Sequence, residues 1–259
     1  MQRIFALTSL LCCILCGPAG AGAEPSDKAI HVVVALCDNK YQGIVPVPAR
    51  LGDGEDLAGN LYWGAAYGVK TFMRRQSGWE LLDSRKAPSA AVLERIILYN
   101  KKNGITLVAD AYKGSAIKAA TEDFLLYSAG GEKSVLVHEN RTIQAGGSAG
   151  LVVFVGHNGL MDFSLERLPA NTGGAAKSAA IFACQSKSYF AQALETAGAE
   201  PLIWTRGNMA PEAYTLHALA HAWAKGDPPE AIRRAVAEAY NKYQKCGMKG
   251  ALRLFATGR

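Results

Sequence analysis

The chain has 259 residues, a formal charge of +6 and 49% hydrophobic residues. That length suits a single α/β domain with elaborations and allows a large buried core. The basic excess is modest and spread along the chain, with no Lys/Arg run interleaved with aromatics, so no nucleic acid is expected as a partner.

Residues 1–23 read as an export signal. Arg3 supplies positive charge, Phe5 to Cys16 an apolar stretch, and Ala21-Gly22-Ala23 a small-residue cleavage site. The pattern predicts a periplasmic or secreted protein that begins near Glu24 and forms one domain over 24–259. Beyond the signal, no segment reaches the roughly 18 uncharged apolar residues that a membrane span requires. Cys12, Cys13 and Cys16 fall inside the signal, which leaves Cys37, Cys184 and Cys246. An odd number in an oxidising compartment means at least one free thiol or a bond to another chain. Cys37 and Cys246 are the internal pair left if Cys184 is free. A bond between them needs a Cα separation below about 7 Å.

Ile30 to Leu36 is the first predicted strand, closed by the polar Cys37-Asp38-Asn39. A long Pro/Gly loop follows from Gly43 to Asp56, where loops of substrate clefts are often found. Leu57 to Arg75 places Leu57, Leu61, Ala65 and Phe72 in helical order and is expected to be a helix, weakened by Gly59 and Gly64. Arg95 to Tyr99 and Ile105 to Ala109 flank Lys101-Lys102-Asn103-Gly104, a strong hairpin signal. Ser115 to Tyr127 is helical in pattern, and a second hairpin is expected through Val135 to Ile143 around Glu139-Asn140. Gly146-Gly147-Ser148-Ala149-Gly150 matches the G-x-S-x-G string of serine hydrolases. It opens a strand, however, rather than joining a strand to a helix as a nucleophile elbow must, and it reads as a loop. Towards the carboxyl end, Asn208 with Pro211 starts a helix carrying Leu216, Leu219, Ala220 and Trp223. Asp227-Pro228-Pro229-Glu230 has the form of a capping box for the next helix. Strands alternating with helices predict an α/β fold, a three-layer α/β/α sandwich around a mostly parallel sheet, with an inserted β-hairpin.

Two apolar runs carry the chemistry. Leu151 to Val155 ends in Gly156-His157-Asn158-Gly159, and Ala179 to Ala183 ends in Cys184. Each reads as a strand covered on both faces that stops at a residue able to do acid/base or nucleophilic work. Catalytic groups of open α/β sheets sit just beyond the carboxyl ends of such strands. If the two strands are neighbours, an imidazole and a thiol share one crevice. The thiolate is the nucleophile, and an imidazole can take the thiol proton and later protonate a leaving amine. That is acyl transfer through a thioester, and it calls for no cofactor and no metal. Either residue alone is equally what a hydrogen-bonded loop histidine or a buried small thiol looks like. His217 and His221, four apart on a helix, lack both the intervening Glu of a zinc-peptidase helix and a third ligand.

The order strand, Gly-His, strand, Ala-Cys resembles the caspase-like cysteine peptidases, the group that includes caspases, metacaspases, legumains, gingipains, separases and CHAT domains. Residues 185–239 also resemble a CHAT domain in their layout of helix, strand Pro201-Leu202-Ile203-Trp204 and two helices. The resemblance implies a cysteine endopeptidase acting on a peptide or protein, with Cys184 as nucleophile and His157 as acid/base. It also implies an oxyanion site near Asn158 and Gly159. Asn158 stands where the group usually has Gly. In several of these families, acidic residues in loops near the first strand recognise a basic side chain before the scissile bond. By position these would be Asp38, Asp53, Glu55 and Asp56. Taken by themselves, Asp53-Gly54 reads as a turn and Asp56 as a helix cap. A non-catalytic binding module on the same sheet, and a Cys/His amidase or acyltransferase, remain as alternatives.

Overall fold

The computed structural model describes residues 28–171 and 173–259, so the expected export signal at 1–23 lies outside the described residues. In chain order the strands are β1 (Ala29–Ala35), β2 (Trp79–Lys86), β3 (Val92–Asn100), β4 (Ile105–Tyr112), β5 (Lys133–His138), β6 (Arg141–Gly146), β7 (Leu151–Val155), β8 (Ser178–Phe182), β9 (Glu200–Thr205) and β10 (Phe255–Ala256). The helices are α1 (Val69–Arg75), α2 (Ile117–Ser128), α3 (Ser186–Thr196), α4 (Ala213–Lys225), α5 (Pro229–Gln244) and α6 (Met248–Leu254).

Eight strands make one sheet in the order β10-β9-β8-β7-β1-β4-β3-β2. Its centre, β9-β8-β7-β1-β4, is parallel, and antiparallel strands close both edges. β1, β4 and β7 are buried along their whole length, as continuous apolar runs in a parallel sheet must be. Alternate side chains feed two separate cores. Val33, Ala35, Val152, Phe154 and Ile181 pack with α2 and α3. Val32, Val34, Val153, Val155 and Phe182 pack with α1, α4, α5 and α6. The molecule is thus an α/β protein whose mostly parallel sheet is covered on both faces, and it fits the expected three-layer arrangement.

Both expected hairpins are present. β3 and β4 join through Asn103-Gly104, with Gly104 at φ 71°, and β5 and β6 form a separate two-stranded ribbon. The ribbon is tied down at its base by His31. Its Nδ1 accepts from Gly146 N at 2.7 Å, its Nε2 donates to Asp110 at 3.1 Å, and Arg95 grips the same carboxylate from the other side. His31 is therefore structural.

Three expectations are corrected. Residues 57–68 form tight turns, and the helix occupies only Val69–Arg75. A Cβ on Gly64 would lie 2.3 Å from Leu57 O, and one on Gly68 2.4 Å from Trp63 C, so the chain folds back on itself more closely than a helix permits. Asn60, fully buried, holds the fold-back by bonding both the N–H and the carbonyl of Cys37. The Asp227 capping box does not form: Pro228 takes the cap position without a side-chain bond, and Glu230 pairs with Arg233. α4 begins at Ala213 rather than near Pro211, with Glu212 as its cap.

Glu94 is the most heavily engaged carboxylate. Its side chain is fully buried and accepts from Trp63 Nε1 (2.7 Å), Lys70 (2.7 Å), Lys86 (2.9 Å) and Ser84 Oγ (2.9 Å). Burial alone would raise its pKa, but the Lys70, Lys86, Trp63 and Ser84 bonds outweigh it and hold the group at about 2. A depressed carboxylate contributes stability that is complete above its unfolded pKa and is lost as pH falls through the folded one. Denaturant melts should therefore show wild-type stability falling between pH 4.5 and about 2. Glu94→Ala should cost about 3 kcal/mol at neutral pH, because Trp63 Nε1 and Lys70 lose their buried acceptor. The wild-type advantage over that variant should shrink across the same acid range.

Candidate functional site

β7 and β8 are adjacent and parallel, with Val155 opposite Phe182. The ladder continues one step further, Gly156 N donating to Phe182 O at 3.2 Å. His157 and Cys184, each two residues beyond the last paired positions Val155 and Phe182, therefore both lie at the carboxyl ends of the two strands. Gly156 makes the approach possible. It sits at φ 150°, and a Cβ there would lie 2.7 Å from Ala35 O of the neighbouring β1.

The His157 loop is rigidly built. Asn158, fully buried, donates from Nδ2 to Cys184 O at 2.7 Å and accepts from Leu160 N at Oδ1, capping the 3₁₀ turn Gly159–Met161. Its side chain thus clamps the two loops together, with one of the two Nδ2 protons engaged in the clamp. The backbone N–H groups of Gly159 and Cys184 have no hydrogen-bond partner among the described residues. A Cβ on Gly159 would lie 2.6 Å from the Phe163 ring, so a side chain there would have to displace it.

His157 is 7% exposed, and its Nε2 lies 2.8 Å from Asp162 Oδ2. A carboxylate acceptor on Nε2 places the ring proton there and leaves Nδ1 as the free, basic nitrogen. The same Asp162 oxygen accepts from Gly43 N at 2.9 Å, so the long loop after β1 braces the carboxylate that orients the imidazole. Sequence reasoning missed Asp162. The signal was faint: an acid five residues after the histidine, brought back only because a single 3₁₀ turn separates them.

Cys184 is half-buried, in contrast to the buried Cys37 and the exposed Cys246. Its Sγ meets Met209 at both backbone atoms, accepting from N at 3.4 Å and donating to O at 3.5 Å. No hydrogen bond joins the thiol to the His157 imidazole among the described residues. The next residue, Gln185, adopts the left-handed conformation at φ 50°, ψ 30°, and α3 starts immediately after. For a residue with a Cβ that conformation costs about 1 kcal/mol or more. It is held by a buried polar knot in which Ser186 N donates to Thr205 Oγ1 and Thr205 Oγ1 donates to Ala183 O. Strain of this kind, fixed by its surroundings, gathers where a side chain must be presented rather than packed. Gln185 N also bonds Gly207 O, and beside the 206–209 segment opens a cavity of about 420 Å³ lined in part by Arg206, Asn208, Tyr240 and Cys246.

The remaining predicted site residues lie in the loop after β1 and serve it structurally. Asp38 Oδ1 accepts from Lys40 N and Tyr41 N, while its carboxylate fills the space that a Cβ on Gly54 or Gly114 would need. Asp53 accepts from Glu55 N, and Asp56 accepts from Ala58 N and meets Arg50 at 3.8 Å. Asp38, Asp53 and Glu55 share the lining of a cavity of about 490 Å³, and Asp56 is not part of it. Asp56 does not cap a helix, since none begins there.

Among the described residues all three cysteines are free, so Cys37 and Cys246 are not bonded to each other. No group of three or more His, Cys, Asp or Glu that could hold a metal occurs among the described residues. No helix of the described chain is long and apolar enough to cross a membrane. The chain matches no protein-family model, no curated protein and no solved structure at a significant level.

The three thiols should differ sharply in reactivity. Burial raises the Cys37 thiol to about 11, against a smaller lowering by Tyr62. Iodoacetamide at neutral pH, followed by peptide mass spectrometry, should alkylate Cys184 and Cys246 and leave Cys37 intact until the protein is unfolded. Early modification of Cys37 would show that the strand end opens in the native state.

Proposed function

We propose that this chain is an exported cysteine endopeptidase of the caspase-like class. Cys184 attacks the scissile carbonyl, and His157 carries the proton. The reading is carried by one observation: His157 and Cys184 leave the same rim of two adjacent parallel strands, clamped to each other by Asn158. Export rests on the pattern of residues 1–23, and the peptidase class on the motifs around the two side chains.

The Cys184 Sγ–H gives its proton to Nδ1 of His157, the nitrogen that Asp162 leaves free, as sulfur bonds to the carbonyl carbon. The carbonyl oxygen gains the electron pair and is stabilised by the unpartnered N–H groups of Gly159 and Cys184. Collapse of this tetrahedral species expels the amine, which takes the proton back from the imidazole, and leaves a thioester. Water, deprotonated by the same imidazole, then releases the acid and regenerates the thiol. Met209 N–H, already donating to sulfur, remains in place to hold the thiolate. Catalytic hydrogen bonds are often unformed until substrate is bound, which accommodates the separate partners of the thiol and the imidazole in the free protein.

Those separate partners are also what favours the second reading, a binding module in which the thiol and imidazole are only structural. Activity decides between them. On a peptide mixture derived from whole-cell protein, the wild type should yield new amino termini. Cys184→Ala should abolish them, and His157→Ala should lower kcat by about a hundredfold or more. Asp162→Asn should lower kcat with little change in KM, because it disturbs the ring orientation and not substrate contact. Hydrolysis that persists in Cys184→Ala, or no cleavage of peptides by the wild type, would overturn the proposal. Turnover of small amides alone would point to an amidase.

A further inference from the structure

On the rim opposite Cys184, α1, the turn between β3 and β4, and α4 enclose a cavity of about 270 Å³ lined by Gln76, Ser77, Asn100, Lys102, His217 and His221. The rim assignment follows from topology: Asn100 pairs with Ile105, the first residue of β4, so the turn lies at the amino ends of the parallel strands. No carboxylate and no thiol line this cavity, and every lining side chain can donate a hydrogen bond. His217 and His221 stand one turn apart on α4, on the same face, and neither has a hydrogen-bond partner among the described residues. The Lys102 ammonium is held at the mouth by Ser77 Oγ at 3.0 Å, leaving its other protons free. Gln76 is anchored through its amide to Phe72 O, and Asn100 Oδ1 accepts from Lys102 N, so the cavity wall is ordered.

The residues next to this lining in the chain are largely basic. Arg74 and Arg75 occupy the last turn of α1, and neither forms an ion pair among the described residues. Lys101 is paired with Glu80, the acid nearest in sequence to the α1 side of the cavity, and Lys225 closes α4. His217 lies low relative to an ordinary histidine because burial, and then His221, disfavour its charge. That cost is what a bound anion would relieve. A divalent metal fits the same cavity poorly, since an ammonium shares the site and no anionic ligand neutralises the ion.

We propose that this cavity is a binding site for a small tetrahedral oxyanion, a phosphate or sulfate group, gripped by the Lys102 ammonium and the His217 and His221 imidazoles. The site is independent of the hydrolase assignment and stands or falls without it. Because the anion favours the imidazolium form, affinity rises as pH falls through the histidine range.

Sulfate, whose charge is constant over this range, is the probe for pH dependence, and inorganic phosphate is the second arm. In a titration of the full chain at pH 6, with chloride at matched ionic strength as reference, sulfate should produce saturable shifts in the ring signals of His217 and His221. His31 and His157 signals should not move with it. Affinity should fall several-fold between pH 6 and pH 8. The exposed substitution Lys102→Gln should weaken binding by about tenfold, as expected for a lost charge-assisted bond, and His217→Ala by a similar factor. Sulfate and phosphate behaving like chloride, or binding unchanged in Lys102→Gln, would overturn the proposal. So would Ni²⁺ binding at the histidine pair with both oxyanions inert.

Discussion

The parallel register of β7 on β8 is the constraint from which the rest of the site follows. Two strands that run the same way end at the same rim, and their spacing of about 5 Å leaves the first residues beyond them within reach of each other. Gly156 lets β7 finish against β1 without a side chain in the way, and its N–H extends the ladder to Phe182 O. After that bond the two chains diverge into loops, and each loop is fastened separately. Asn158 fastens one to the Cys184 carbonyl, while the Ser186–Thr205 knot fixes the left-handed turn at Gln185 in the other. Positioning of the thiol and imidazole is thus a property of backbone and buried polar side chains, with no contribution from a direct bond between them.

A second line of connection runs from the long loop after β1. Asn60 holds residues 57–68 to the end of β1 through both backbone atoms of Cys37, and Gly43 N supports the Asp162 carboxylate that bonds His157. A Cβ on Gly43 would lie 2.3 Å from Asp162 Oδ1, so that contact is close-packed as well as hydrogen-bonded. Displacement of this loop therefore acts on the imidazole through one carboxylate. The acidic residues there are occupied in making the loop: Asp38, Asp53 and Asp56 each accept backbone N–H groups in their own turns. Any recognition they offer to a ligand uses what remains of their lone pairs.

Much of this architecture was legible because it rests on local signals that tertiary context does not override. Continuous apolar runs announced β1, β7 and β8, Asn103-Gly104 announced the β3–β4 hairpin, and i, i+3, i+4 spacing announced α4. What was illegible depends on contacts distant in sequence. Leu57 to Phe72 has helical spacing, yet Asn60 bonds to Cys37 across 23 residues and the close approach at Gly64 defeats the helix. β2, Trp79–Lys86, is a polar edge strand with little alternation to mark it, stabilised by pairing with β3 and by the charges around Glu94. The histidine and cysteine could be found from strand ends. Asp162 could not, because its role arises from a single 3₁₀ turn that no pattern in the chain demanded.

Asn158 shows how a departure from an expected motif can carry its own logic. A glycine there would offer a backbone N–H and nothing else, and the Cys184 carbonyl would need another partner. The asparagine supplies that partner from Nδ2 and caps its own turn with Oδ1, so both ends of one fully buried amide are satisfied. One of the two Nδ2 protons is used in this clamp. At Gly159 a Cβ would lie 2.6 Å from Phe163 and 3.2 Å from Ile117, so those side chains pack directly onto its backbone. In the pair Asn158-Gly159, the first residue clamps the loop and the second keeps the turn closely packed. Replacement of either would be felt differently: at 158 by the alignment of the two strands' ends, and at 159 by the packing of the turn that returns Asp162 to the imidazole.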